Sequence, residues 1–95
     1  MDDTKPGIKV GDIIVYAGGT AIVRMIYDEP DENGAVLSAI IDPVQPVAYD
    51  FARIDNKWCL VDEGGGGSYV RPGHPDWHLA VQLRVRAGIK NPQKY

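Results

Sequence analysis

His78-Leu79-Ala80-Val81-Gln82-Leu83-Arg84-Val85-Arg86-Ala87 alternates apolar and polar residues without a break. Leu79, Val81, Leu83, Val85 and Ala87 fall on one parity; His78, Ala80, Gln82, Arg84 and Arg86 fall on the other. Successive side chains of a strand point to opposite faces, so this pattern predicts a half-buried strand with a cationic outer face. Wound as a helix, the same residues would spread apolar groups around the whole cylinder. Period two therefore favours a strand, and with it a mainly β fold.

The turn signals upstream agree. Ile8–Tyr16 is rich in β-branched residues and reads as a first strand, with Gly11-Asp12 as its opening turn or a bulge. Ala17-Gly18-Gly19 is a tight reversal, and Thr20–Tyr27 follows as a second strand. Asn33-Gly34 closes the acidic turn Asp28–Gly34 with a strong hairpin signal, placing a third strand at Ala35–Ile41. Pro43 and Pro46 cannot donate to a ladder, so the chain leaves the sheet there. Val47–Ile54, the turn Asp55-Asn56 and Lys57–Val61 read as a second hairpin. Arg71–Pro75 is a proline-marked loop leading into the terminal strand. Five or six short strands separated by turn signals predict one small antiparallel barrel or roll. The expected organisation is a flexible arm over 1–7, the barrel over 8–88 and a tail over 89–95.

Composition narrows the function classes. The 95 residues leave room for one domain, and a 44% apolar content suits a folded core. No apolar run is long enough to cross a bilayer, and the Asp2-Asp3 start lacks the form of a signal peptide, so a soluble, cytoplasmic protein without a membrane partner is expected. Cys59 is the only cysteine, which excludes an internal disulfide and any multi-cysteine metal site. The net charge of −3 is unevenly spread: residues 1–67 hold five Lys/Arg against twelve Asp/Glu, and residues 68–95 hold five against one. A basic end can meet an anionic partner, or lie against the chain's own acidic half.

Few constellations suggest chemistry. His74, Asp76 and His78 are spaced two apart, and on an extended strand they would form an imidazole–carboxylate–imidazole set for a divalent metal. A proline-rich turn with incidental histidines explains the same residues, and no metal or other cofactor is assigned. Gly64–Gly67 lacks the Lys-Ser/Thr of a phosphate loop and follows Asp62-Glu63, so it reads as a linker. Neither Ser38 nor Ser68 has a base visible in the sequence. The carboxylates of Asp28–Glu32 sit on a hairpin tip without the burial that acid catalysis requires. A non-enzyme is expected.

The aromatic residues suggest binding instead. Phe51 and Trp58 are expected to fill the core, whereas Trp77 beside its proline loop is expected as an exposed anchor. Together with Tyr69, Arg71, Arg84 and Arg86 it makes the candidate binding set.

The segment Val10-Gly11-Asp12-Ile13-Ile14-Val15-Tyr16-Ala17-Gly18-Gly19-Thr20-Ala21-Ile22-Val23 resembles the start of CarD-type RNA-polymerase-interacting domains. The likeness runs from Val10 to Ile26 and rests on a Val-Gly-Asp opening, a Val-Tyr strand end, a glycine turn and a second strand. It implies a Tudor-like barrel that binds the polymerase β subunit by strand pairing. After Ile41 the two prolines, the glycine run and the basic terminal stretch depart from that pattern.

The expected function is thus a small non-enzymatic barrel that binds another protein, within a larger assembly or alone. Two alternatives stand beside it. One is a barrel contacting nucleic acid or a transcription complex through Arg84, Arg86 and Lys90; the other is a metal-dependent enzyme at His74, Asp76 and His78.

Overall fold

A two-residue loop, Ala17-Gly18, reverses the chain between β1 (Ile13–Tyr16) and β2 (Gly19–Ile26). In the computed structural model, which describes residues 7–61 and 67–94, the order continues with β3 (Leu37–Ile41), β4 (Val47–Ile54) and β5 (Lys57–Val61). The short strand β6 (Ser68–Tyr69) and a helix, α1 (Trp77–Arg86), complete it. The expected arm, apart from Gly7, and Gly64–Gly66 of the glycine run lie outside the described residues.

From β1 to β5, consecutive strands are antiparallel neighbours. Asp55 and Asn56 both adopt positive φ, 52° and 62°, the backbone of a type I′ turn whose twist suits a two-residue hairpin. β4 and β5 pair from Ile54↔Lys57 to Asp50↔Val61, and β3 pairs with both β2 and β4. One parallel bridge, Tyr16↔Trp58, joins β1 to β5 and closes a five-stranded barrel. The fold is therefore mainly β, as the turn signals predict. Inside it Ile14, Ala21, Val23, Leu37, Ala39, Phe51 and Trp58 form one core. Phe51 is fully buried with the Tyr16 ring edge-on at 5.1 Å, so both expected core aromatics are in place. Burying a side chain of that size contributes about 1.5–3 kcal/mol.

β6 was not foreseen. It pairs with Val47 and Ala48 on the edge of β4 that β5 leaves at Asp50, since β3 holds the other edge throughout. Gly67, just before β6, is pressed onto the barrel wall: a Cβ there would meet Tyr49 Cζ at 2.6 Å and Val47 Cγ2 at 2.7 Å. Close approach makes glycine necessary at this position, whatever the rest of the run does.

The terminal alternation is a helix, and this corrects the strand expected over His78–Ala87. An alternating series contains i, i+4 pairs, so Leu79/Leu83 and Val81/Val85 fit either form. Ala80 and Arg84 decide between them. A strand turns both outward with His78 and Gln82, yet Leu79, Ala80, Leu83 and Arg84 are the four buried residues of α1, whereas Val85 is 58% exposed. Local chemistry agrees: Leu, Ala, Gln and Arg favour helix, and only two positions are β-branched. The helix ends in a Schellman motif. Gly88 at φ 77° donates to Val85 O, and Ile89 donates to Arg84 O.

What α1 covers is the outer face of the sheet. Ile22, Ile40 and Ala48 point away from the barrel interior and pack with Val70, Leu79, Ala80 and Leu83 as a second core. Ala21–Val23 of β2 and Leu37–Ile40 of β3 are consequently buried on both faces. No described helix is long and apolar enough to cross a membrane.

Candidate binding surface

Two charged clamps fix the helix on the barrel, and they place the sequence-predicted residues. The first is built on a bulge in β2. The register slips between Val23 and Met25, leaving Arg24 as the extra residue. A bulge bends its strand and re-aims a side chain. It also breaks the alternation of β2: Val23 faces the barrel core, while Met25, two positions on, is exposed. Arg24 Nε donates to Ser38 Oγ at 2.9 Å, and Nη1 donates to Asp76 Oδ2 at 3.0 Å, at the start of α1. Alongside, the Tyr27 hydroxyl donates to Asp50 Oδ1 at 2.6 Å. Burial, and then that bond to Asp50, push the Tyr27 phenol up to about 12. At the other end of the barrel wall, burial and then the charge of Asp42 raise the Tyr16 phenol.

His74 and Asp76 adjoin this clamp, with His74 Nδ1 3.8 Å from Asp76 Oδ2. His74 Nδ1 accepts the Asp76 backbone N–H at 2.9 Å, so its lone pair is engaged by the chain itself. His78, the second residue of α1 and exposed, sets its Nδ1 3.1 Å from Pro75 O. A helix starting at Trp77 removes the shared face that an extended strand would have given the three residues. Among the described residues no group of three or more His, Cys, Asp or Glu is arranged to hold a metal ion.

Arg84 forms the second clamp. It is 5% exposed, so the outward cationic face expected for it is corrected. Nε donates to Pro92 O at 2.8 Å, Nη1 to Pro43 O at 2.6 Å, and Nη2 to Lys94 O at 2.7 Å. One guanidinium thus ties the helix, the β3–β4 loop and the C-terminal segment together through main-chain carbonyls. Trp77 lies within the same layer, its ring centroid 5.7 Å from the Arg84 guanidinium carbon, and is half-buried against the second core. It is an anchor of the helix. Every buried side-chain nitrogen or oxygen among the described residues has a partner, which is what fixed clamps require.

The rest of the predicted set lies at the surface. Arg86 is exposed on α1. Tyr69, on β6, is 56% exposed, with the exposed Arg71 guanidinium 5.4 Å from its ring centroid. The two side chains thus meet at the end of β6. The five candidates therefore separate into two structural residues, Trp77 and Arg84, a helix residue, Arg86, and one compact pair. Sequence reading missed Arg24, Ser38, Tyr27 and Asp50; the only signal was an arginine inside the apolar run Ala21–Ile26.

Searches with this chain match no family model, no curated protein and no solved structure. The geometry alone therefore carries the functional reading.

Proposed function

We propose that this chain is a non-catalytic β-barrel module that binds another protein, taking an extended segment of that partner along the outer edge of β6. The observation that carries the reading is the Tyr69–Arg71 pair, with Tyr69 on that edge and Arg71 two residues beyond it. Among the described residues β6 has a ladder partner on one side only, β4. An open edge offers backbone N–H and C=O groups to an added strand, while flanking side chains choose the sequence. An aromatic ring and an arginine are the side chains most enriched among energetically dominant interface contacts. The polymerase-binding partner implied by the resemblance over Val10–Ile26 belongs to the same class.

Site-specific photocrosslinking from position 69 tests the proposal, with a second crosslinker at Ile54, exposed on the β4–β5 hairpin, as the reference. The expected result is one protein captured from position 69 and lost on Arg71→Glu, with the fold unchanged by circular dichroism. Capture from position 54 alone refutes the edge. Capture that nuclease treatment abolishes places nucleic acid ahead of a protein partner.

A further inference from the structure

We infer that Asn33 is a site of spontaneous covalent modification, in which the backbone nitrogen of Gly34 converts it to aspartate and isoaspartate at a rate held down by Asp31. The sequence holds three asparagines, and the structure distinguishes them. Asn91 precedes Pro92, whose nitrogen carries no hydrogen and cannot serve as the nucleophile. Asn56 precedes Lys57, a residue with a side chain that is already committed to the β4–β5 ladder opposite Ile54. Asn33 and Gly34 are both exposed, and the space where a Cβ of Gly34 would sit holds no other atom within 4 Å. Gly34 has φ 83°, a conformation that side-chain-bearing residues rarely adopt.

The step balances without any co-reactant except water. The Gly34 nitrogen loses its proton and bonds to Asn33 Cγ; the side-chain amide leaves as ammonia and a five-membered succinimide closes. Water then opens the ring at either carbonyl. Cleavage at Cγ gives aspartate, and cleavage at the main-chain carbonyl gives isoaspartate, with the backbone running through Cγ.

Asp31 resists the first step. Its main-chain oxygen accepts the Gly34 N–H at 2.9 Å, which occupies the nucleophile. Its Oδ1 accepts from Asn33 N at 2.9 Å and Ala35 N at 2.8 Å, which fixes the turn on both sides of the reacting atoms. Once formed, isoaspartate inserts a methylene between those two donors. One carboxylate oxygen then cannot reach both, and the Asp31 N to Ala35 O bond of 3.0 Å is strained as well. Either product adds a negative charge to a turn already bearing Asp28, Glu29, Asp31 and Glu32. The result is an irreversible, slowly accumulating change of charge and backbone at one hairpin tip.

Prolonged incubation of the whole protein at neutral and mildly alkaline pH tests this, read by mass spectrometry of the tryptic peptide covering residues 25–53 and by isoaspartyl methyltransferase labelling. The expected result is the mass gain of an amide-to-acid exchange at Asn33, methyltransferase labelling there, and intact peptides for Asn56 and Asn91. Asp31→Ala is expected to raise the rate severalfold, and Asn33→Gln to abolish the labelling. An unchanged Asn33 beside a modified Asn56, or an Asp31→Ala rate equal to the parent's, overturns the inference.

Discussion

Replacing Arg84 by methionine keeps most of the apolar stem and removes the guanidinium. The carbonyls of Pro43 and Pro92, both in half-buried residues, then lose donors at 2.6 and 2.8 Å. Lys94 is exposed, so water replaces its bond. Each buried acceptor left unmade costs about 1–3 kcal/mol. Removal of a costly buried charge offsets part of that loss. The expected net destabilisation is about 2–4 kcal/mol, a large share of the ~5–15 kcal/mol that holds a domain together. In a domain of this size it corresponds to a fall in Tm of roughly 10–25 °C. Urea and thermal melts measure it, with the urea m-value unchanged if both states remain as compact. Hydrogen exchange adds the location, with faster exchange over residues 89–94 and at Val44 and Gln45. Arg84→Glu is expected to prevent folding, because it sets a carboxylate against carbonyl oxygens. A parent-like melt for Arg84→Met, within the ~0.5 kcal/mol typical of surface changes, refutes the clamp.

Three more outcomes are expected. Ala80→Asp should unfold the protein by burying an unpaired charge under α1, whereas Val85→Asp should melt like the parent; the reverse order would restore the strand, and thermal melts decide. Gly67→Ala should cost about 1–3 kcal/mol by forcing a methyl group against Tyr49 and Val47, and an unchanged urea midpoint would contradict that contact. Tyr27 should ionise near 12 in an ultraviolet titration, with Asp50→Asn bringing it down. Because the folded phenol is raised above its ordinary value of 10.0, its contribution to stability is present below that value and is lost as pH rises from there through about 12. A flat stability profile across that window would show that the Tyr27–Asp50 bond does not persist in solution.

The barrel was legible because its turns are local. Asp55-Asn56, Asn33-Gly34 and Ala17-Gly18 each settle a reversal within a few residues, and the strands between them have little choice of neighbour. The surface pair Tyr69 and Arg71 could likewise be nominated from residue type. The form of residues 77–86 could not be settled from their alternation, since Leu79/Leu83 suits a strand face and a helix stripe alike. The better indication lay elsewhere, in the unbroken burial capacity of Ala21-Ile22-Val23 and Leu37–Ile41. Strands apolar on both faces need a second layer to cover them. Tertiary structure supplied that layer. It brought Ala80 inside, and it turned Arg84 from a presumed surface cation into a buried donor to two other chain segments. Which side of a residue is buried depends on what arrives from elsewhere in the chain: turn chemistry acts over neighbouring residues, whereas the outer face of β2 and β3 becomes an interior only when α1 docks upon it.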